Sequence, residues 1–359
     1  MLSRQASQSP WPEKFELPDL PVLLGQLVQS IPQGHVTTYG DLARALGDVA
    51  ASRWVGQHLA DHVHENNCCC HRVVLATGKI GNYVTGNAKE KLVRLRDDGI
   101  RLEGDQVDLG SYRWIPPRGE TPTPLELLRR LQLALASQVS LEPPTWAVSK
   151  SLATLRVAGI DASYCADGTG VASLVSMRDE QVPAEQRALE LPVPFPYITG
   201  YLAFRELPLM ATLIRSVPDE VSKLDVLVVD GSGILHPRAC GIASMLGVLT
   251  GVTTIGVTKK HLCGQYDERE LQTQGWGWVY GAQAELRGAV LLPPSGSARP
   301  LFVSPGHGID VPGALRVIKR FYGRRRLPSP IFWADRFSRQ QVRLRNADGA
   351  GATNTPGGS

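Results

Sequence analysis

Three acidic residues in the second half of the chain, Asp161, Glu206 and Asp230, each stand beside an apolar segment. The apolar run 226–229 ends in Asp230 and a glycine-rich turn, a pattern typical of a buried strand that delivers an acid at its carboxyl end. The run 155–160 leads to Asp161 in the same way, and Glu206 opens another element after a turn. Carboxylates brought together repel one another unless a cation neutralises them, and an all-oxygen set suits Mg²⁺ or Mn²⁺. We therefore expect a divalent metal site, although each acid taken alone also fits an ordinary loop carboxylate.

A candidate nucleophile lies in the first third of the chain, where Cys70 is followed directly by His71. A thiolate attacks an alkyl carbon well, and an imidazole backed by a carboxylate can draw off the thiol proton. This pair predicts transfer of a group to the thiol.

The same segment is rich in metal-ligand residue types: His62, His64, Cys68, Cys69, Cys70 and His71. Adjacent cysteines rarely all reach one tetrahedral ion, and the usual two-residue spacers are absent. A structural zinc site is therefore not favoured, and no organic cofactor is expected.

Two short helical patterns, 41–46 and 52–63, precede this segment and are separated by a turn that contains Gly47. Apolar residues recur four positions apart in both patterns. Two short helices with a tight joint are the outline of a helix-turn-helix, so this region is expected to bind DNA.

The composition bounds the remaining possibilities. A chain of 359 residues that is 43% hydrophobic is long enough for two packed domains, and with a net charge of only +4 we expect nucleic-acid affinity to come from local basic patches.

The proline-rich stretch 116–124 predicts a linker between a domain at 1–115 and a second at 125–345, and 346–359 is expected to be a disordered tail. The sequence contains no apolar run of the ~20 residues that a membrane span needs and no signal peptide, so we expect a cytoplasmic monomer without membrane contact.

The motifs of the second half resemble the endonuclease V family. They are the segments 196–206, 229–238, 241–244, 254–260 and 305–307, which follow one another in the order of that family. The resemblance covers roughly residues 125 to 340 and implies a ribonuclease-H-like α/β fold with a mixed central sheet.

This resemblance also implies roles for individual residues. Asp161, Glu206 and Asp230 would hold the catalytic Mg²⁺, and His236, Lys259 and His307 would surround the scissile phosphate. The family's wedge, which fills the gap left by an extruded base, falls on Pro196, Tyr197 and Ile198, with Thr199 where a second proline is usual. The base pocket would be lined by Gly200, Leu202, Gly241 and Leu262. The implied reaction is hydrolysis of the second phosphodiester bond on the 3′ side of deoxyinosine, and inosine in RNA stays open as a substrate.

The first third resembles the DNA-binding and active-site domain of the O⁶-alkylguanine-DNA alkyltransferases and their alkyltransferase-like relatives, through segments 31–43, 51–56 and 70–74. The resemblance implies a winged-helix-like domain in which Cys70 accepts the alkyl group and His71 and Asp98 complete the proton relay. Arg53 would take the place of a flipped guanine, while Tyr39 and Tyr83 would contact the DNA.

Several positions depart from the alkyltransferase pattern. Cys69 replaces a proline, Asp98 stands where a glutamate is expected, and His62 falls at the position of the hinge asparagine. The segment 107–114 instead resembles the alkyltransferase-like proteins, which only bind lesions. The sequence thus predicts a bifunctional DNA repair enzyme acting on deoxyinosine and O⁶-alkylguanine. A nuclease guided by a lesion-binding module is the alternative.

Overall fold

The computed structural model describes residues 16–64, 67–146 and 151–352. The chain divides into two compact units. One comprises Leu17–Arg130 with Pro194–Leu202, and the other comprises the described residues of Leu131–Val193 and Ala203–Ser359. Residues 114–123, which include most of the predicted linker, form no helix or strand. None of the helices in the described parts of the chain is both long and apolar enough to cross a membrane.

The first unit is built from short helices around two small pairs of strands. Its helices are α1 (Leu20–Gln29), α2 (Tyr39–Ala45), α3 (Ser52–Asp61), α4 (Ala88–Asp97), α5 (Leu109–Tyr112) and the first part of α6 (Pro124–Ala136). Its strands are the parallel pair β1 (Thr37–Thr38) and β2 (Val73–Val74) and the antiparallel pair β3 (Leu102–Glu103) and β4 (Gln106–Val107).

The predicted helix pair is confirmed as α2 and α3. Helix α2 begins where the Thr38 hydroxyl accepts a hydrogen bond from the Asp41 amide at 3.1 Å and the Asp41 carboxylate accepts one from the Thr38 amide at 3.3 Å. Such a reciprocal cap stabilises a helix start by about 1 kcal/mol. In the turn after α2, Gly47 has a φ of 113°, and a side chain there would collide with Thr123. The joint between the helices therefore requires glycine.

The second unit contains one mixed sheet, as predicted, and the structure shows that it has eight strands. Its strands are β5 (Val157–Tyr164), β6 (Thr169–Met177), β7 (Pro183–Pro192), β8 (Val226–Asp230), β9 (Thr254–Thr258), β10 (Trp276–Tyr280), β11 (Leu286–Leu291) and β12 (Leu301–His307). Their spatial order is β10-β11-β12-β9-β8-β5-β6-β7. The central strands β5, β8 and β9 run parallel and every other neighbouring pair is antiparallel.

Helices cover this sheet: α7 (Leu202–Ser216), α8 (Pro218–Val221), α9 (Ile242–Thr250), α10 (Glu268–Gln274), α11 (Val311–Arg320) and α12 (Ser329–Ala352). The central strands are apolar because both of their faces are covered; Val226 and Val228 are fully buried beside Ile255 and Val303. Each such side chain stabilises the fold by about 1.5–3 kcal/mol.

The last helix, α12, packs closely against β5. A side chain at Gly159 would collide with the Pro330 carbonyl group, so glycine permits this approach of helix to strand. Helix α12 ends at Ala352, and the disordered tail expected at 346–359 stays a prediction. Residues 353–359 lie outside the described residues.

Candidate functional sites

Three carboxylates of the second unit meet at the central strands: Asp161, Asp230 and Asp335. One carboxylate oxygen from each lies within 4.8 Å of the other two. Asp161 is buried and the other two are partly buried. The structure therefore brings together Asp161 and Asp230, as predicted, and adds Asp335, which the sequence interpretation missed.

The sheet and one helix position these three acids. Asp230 is the last residue of β8, at its carboxyl end as predicted. Asp161 instead lies inside β5, because pairing with the antiparallel strand β6 extends β5 to Tyr164. The parallel pairing of β5 with β8 nevertheless ends at Ile160, so Asp161 directly follows the parallel segment. Asp335 comes from α12, where the Ser338 hydroxyl also donates to Asp161 Oδ2 at 3.1 Å.

The acids repel one another in a poorly solvated place. Burial, followed by the negative charges of Asp230 and Asp335, raises the pKa of Asp161 to about 7. Burial and the charge of Asp161 raise the pKa of Glu206 to about 8. Both shifts favour the protonated form at neutral pH, so full ionisation of the group requires a cation.

Glu206 belongs to the same electrostatic group but is not one of the three closest acids. It lies in the second turn of α7 rather than at the start of an element, because the helix begins at Leu202. Its carboxylate accepts a hydrogen bond from the Tyr164 hydroxyl at 3.1 Å, and its charge is coupled to those of Asp161 and Asp230.

Lys259 follows the carboxyl end of β9 and contacts the acidic cluster. Its ammonium nitrogen lies 2.8 Å from Asp230 Oδ2, and the side chain is 35% exposed. Although burial lowers the pKa of Lys259, the charge and hydrogen bond of Asp230 outweigh that effect and raise it. Lys259 therefore carries its positive charge beside the carboxylates, and its predicted contact with the scissile phosphate stays a prediction.

The two predicted histidines occupy different surroundings. His236 is buried, its Nδ1 accepts a hydrogen bond from the Arg238 amide at 3.1 Å, and burial lowers its pKa to about 4, so it is neutral. Its contact with the phosphate stays a prediction.

His307 does not join the end of the sheet where Lys259 lies. It pairs with Thr254, the first residue of β9, because β12 runs antiparallel to β9. The separation between Thr254 and Lys259 along the chain corresponds to roughly 16 Å. His307 Nδ1 instead accepts a hydrogen bond from the Ser140 amide at 3.3 Å. The antiparallel direction of β12 thus corrects the expectation that His307 and Lys259 flank one phosphate.

The roles of the wedge and base-pocket residues stay predictions, and the structure gives the local environment of each. Tyr197 is 51% exposed, whereas Ile198 is buried. Within the predicted pocket, Gly200 has a φ of 83°, Leu202 begins α7, Gly241 precedes α9 and Leu262 is 39% exposed. Pro196 lies in the segment before them and is partly buried.

In the first unit, Cys70 begins a 3₁₀ turn, Cys70–Arg72, and only 4% of the residue is exposed. Its Sγ lies 3.6 Å from His64 Nδ1. A hydrogen bond with Cys68, followed by burial, raises the pKa of the Cys70 thiol. Tyr83, predicted to contact DNA, is buried nearby and its hydroxyl lies 3.3 Å from His64 Nε2.

The structure joins His71 to Asp98, as the relay requires. His71 Nε2 lies 2.9 Å from Asp98 Oδ2, and Arg72 holds both oxygens of that carboxylate at 2.6 and 3.0 Å. Although burial raises the pKa of Asp98, these hydrogen bonds lower it. Burial lowers the pKa of His71 despite Asp98, so the imidazole is neutral. His71 Nδ1 is buried and has no hydrogen-bond partner among the described residues.

A groove of about 830 Å³ lies beside α2 and α3. Both Tyr39 and Arg53 line it, and Arg53 is the second residue of α3, at the helix start where it was predicted. The groove places a phenol and a guanidinium on one surface of the helix pair, which is the arrangement expected for contact with DNA.

Comparison with known proteins identifies both units. Residues 134–336 match the endonuclease V family model, and residues 24–100 match the DNA-binding domain of 6-O-methylguanine DNA methyltransferase. The chain belongs to the endonuclease V family of enzymes and joins its nuclease domain to an alkyltransferase-type DNA-binding domain.

Relatives and solved structures agree with this assignment. A Picrophilus torridus protein named bifunctional methyltransferase/endonuclease is 33% identical over 301 residues, 84% of this chain and 90% of the relative. The crystal structure of human ENDOV is 32% identical with a TM-score of 0.55, covering 62% of this chain and 99% of the human one. A Ciona intestinalis endonuclease V, solved with DNA containing an inosine followed by a ribo-adenosine, is 25% identical with a TM-score of 0.55, covering 61% of this chain and 98% of that chain.

The sequence interpretation missed Asp335 for a physical reason. In the segment around it, Arg336 and Arg339 make the residue typical of a solvated helix face with compensating charges. Only the close packing of α12 on β5 brings its carboxylate to Asp161, and nothing in the local pattern indicates that long-range contact.

Proposed function

We propose that this protein is a Mg²⁺-dependent endonuclease that cuts DNA at the second phosphodiester bond 3′ to deoxyinosine, and that Cys70 accepts alkyl groups from O⁶-alkylguanine. The observation that carries the nuclease function is the convergence of Asp161, Asp230 and Asp335 within 4.8 Å beside Lys259. The bifunctional name of the Picrophilus relative and the inosine-containing DNA of the Ciona complex support the two substrate classes.

The residues of the cluster fit a hard divalent cation. The donors are all carboxylate oxygens, which Mg²⁺ prefers, and the raised pKa values of Asp161 and Glu206 indicate that Lys259 does not fully compensate the negative charge of the cluster. Asp230 already attracts an ammonium group at 2.8 Å. We assign Asp161, Asp230 and Asp335 as the residues that would hold the ion, with Glu206 in the surrounding shell. A bound Mg²⁺ would polarise the phosphoryl oxygen and lower the pKa of a water molecule.

The chain's own residues contribute orientation and charge. Ser338 fixes one oxygen of Asp161, and Tyr164 fixes one oxygen of Glu206, so the carboxylates are held before substrate arrives. The Lys259 ammonium, held beside Asp230, stabilises the negative charge that develops on the phosphate.

Nuclease specificity is tested with end-labelled duplexes that carry one deoxyinosine, in Mg²⁺ and in excess EDTA. We expect a single Mg²⁺-dependent nick at the second phosphodiester bond 3′ to the lesion and no cutting of the matched undamaged duplex. Equal cutting of the undamaged duplex would contradict the assignment. Faster cutting of an inosine-containing RNA strand would identify RNA as the substrate instead.

Alkyl transfer uses the buried thiol and the His71–Asp98 pair. The neutral His71 donates a hydrogen bond from its Nε2–H group to Asp98, and its Nδ1 lone pair is then free to take the thiol proton, directly or through water. The Cys70 thiolate then forms a bond to the alkyl carbon while the bond between that carbon and guanine O⁶ breaks. The guanine leaves with the electron pair and recovers a proton, and the modified cysteine is not regenerated.

Mass spectrometry of the protein after incubation with O⁶-methylguanine DNA tests this step. We expect one added methyl group, on the peptide that contains Cys70, and none in Cys70→Ser. Cys263→Ser is the matched control, because that partly buried thiol lies in the other unit. An unmodified Cys70 in protein that binds the lesion tightly would favour the lesion-binding alternative.

A further inference from the structure

We propose that His62, His64, Cys68 and Cys70 form a tetrahedral binding site for Zn²⁺ in the first unit. One ligand atom from each residue, two imidazole nitrogens and two sulfurs, lies within 4.8 Å of the other three. Two imidazole nitrogens and two thiolates are a ligand set that zinc takes in closed structural sites. Mg²⁺ is a hard cation and does not favour soft thiolate ligands. This cluster is separate from the carboxylates of the second unit.

The distances within the cluster match a tetrahedral ion. His62 Nε2 lies 3.2 Å from Cys68 Sγ, and His64 Nδ1 lies 3.6 Å from Cys70 Sγ. Zinc bonds of about 2.0–2.1 Å to nitrogen and about 2.3 Å to sulfur give nitrogen–sulfur edges of roughly 3.5 Å in a tetrahedron. Two of the nitrogen–sulfur distances are therefore close to the tetrahedral spacing, and the remaining ligand atoms lie within 4.8 Å of one another.

The second nitrogen of each imidazole is also held. His62 Nδ1 lies 3.1 Å from the Leu59 carbonyl oxygen, and His64 Nε2 lies 3.3 Å from the Tyr83 hydroxyl. Such partners fix the tautomer that presents the other nitrogen to a metal, and they are typical of imidazole ligands. The site thus has organised ligands and an organised surrounding shell.

Of the three consecutive cysteines, Cys68 and Cys70 belong to the cluster and Cys69 does not. Cys69 does not join the cluster: its Sγ lies 3.7 Å from the Asn67 carbonyl oxygen and accepts a hydrogen bond from Arg72 at 3.3 Å. Cys68 and Cys70, with one residue between them, reach the same point. Zinc was not favoured from the sequence because three adjacent cysteines rarely all bind one ion. In the structure only two of the three would bind it, and the third contacts other groups.

Occupancy of this site has a consequence for Cys70, which rests on the alkyl transfer proposed above. A sulfur bonded to Zn²⁺ shares an electron pair and its negative charge with the metal, so it is a weaker nucleophile than a free thiolate. Zn²⁺ therefore protects Cys70 from alkylation, and the metal-free protein is the form that accepts alkyl groups.

Cobalt spectroscopy of the full chain tests the site itself. Co²⁺ added to metal-free, reduced protein is expected to give intense visible and near-ultraviolet bands of a tetrahedral thiolate site, saturating at one ion per chain. Cys68→Ser should remove these bands, and Cys69→Ser should keep them. Bands that are absent from the unmodified protein, or unchanged in Cys68→Ser, would overturn the site.

Protection of Cys70 is tested with iodoacetamide, a general thiol reagent whose reaction does not depend on alkyl transfer from DNA. Peptide mass spectrometry in a thiol-free reductant should show Zn²⁺ slowing modification of Cys70 at least about 10-fold, with Cys69 little affected. Cys68→Ser should abolish that protection. Equal rates with and without Zn²⁺ would overturn the protective role, whereas failure to accept methyl groups from DNA would affect only the proposed transfer.

Discussion

Buried carboxyl groups make the second unit sensitive to pH. Asp161 and Glu206 have pKa values raised to about 7 and about 8, above those of the unfolded chain. At a pH between the pKa of these groups in the unfolded chain and their pKa in the folded protein, the folded protein binds more protons. The contribution of the two carboxyl groups to stability is therefore present at low pH and lost as pH rises through 7–8. The same ionisation prepares the cluster for a cation, because metal and proton compete for the carboxylates.

We predict that the melting temperature in EDTA falls between pH 5 and pH 8, and that Mg²⁺ raises it more at pH 8 than at pH 5.5. The expected change is several degrees, since about 1 kcal/mol shifts the melting temperature of a domain this size by about 2–4 °C. Glu206→Gln should flatten the dependence on pH, measured by calorimetry. A larger Mg²⁺ effect at the lower pH would contradict the coupling.

Lys259 is the second residue whose role follows from local charge. Lys259→Met removes the ammonium group 2.8 Å from Asp230. We expect single-turnover nicking of a deoxyinosine duplex to slow by about 10²–10³-fold, as is usual when a group that stabilises developing charge is lost. The matched control is Lys260→Met, which removes the adjacent exposed lysine. Similar losses in both variants would assign Lys259 to general DNA attraction only.

At the level of elements, the site depends on the meeting of β5, β8 and α12. The carboxyl end of β8 at Asp230 and the helix pair α2–α3 could be predicted, because apolar runs and helix caps are local signals in the sequence. The internal position of Asp161 and the approach of Asp335 could not, because strand pairing and helix packing join residues distant in sequence. The predicted position of His307 was wrong for the same reason, because the residues of β12 do not indicate that the strand runs antiparallel to β9.

Helix α12 also carries a row of arginines beside Asp335. Arg336, Arg339 and Arg343 line one open cavity with that acid. We predict that Arg336→Gln and Arg343→Gln each weaken DNA binding and reduce the slope of log affinity against log salt by about 1, as expected for loss of one phosphate contact. Arg269→Gln, an exposed arginine on α10, is the control. Unchanged slopes, measured by fluorescence anisotropy, would place the DNA elsewhere.

For the whole molecule, the two units carry different chemistry in separate sets of residues. The thiol, imidazole and carboxylate of the proposed alkyl-transfer site all belong to the first unit, and the acidic cluster with Lys259 belongs to the second. Both domain types could be predicted from the sequence because their motifs are contiguous. The order of strands in the sheet required the structure.

This separation predicts that the two activities can be removed one at a time. Cys70→Ser should abolish methyl uptake and leave nicking of deoxyinosine DNA within about twofold, because sites that share no residues or partners act independently. Asp230→Asn should do the reverse. Parallel mass spectrometry and gel assays check both, and a variant that loses both activities while remaining folded would show that the sites are coupled.

The central claim is that the converging carboxylates hold the cation that drives strand cleavage. Its most direct test is the single-turnover rate of nicking a deoxyinosine duplex in Mg²⁺ by Asp230→Ala, with Glu268→Gln, an exposed acid on α10, as the control. We predict a loss of at least about 10³-fold for Asp230→Ala, which corresponds to about 4 kcal/mol of activation free energy, and an unchanged rate for the control. Nicking by a folded Asp230→Ala protein at the rate of the unmodified chain would contradict the account.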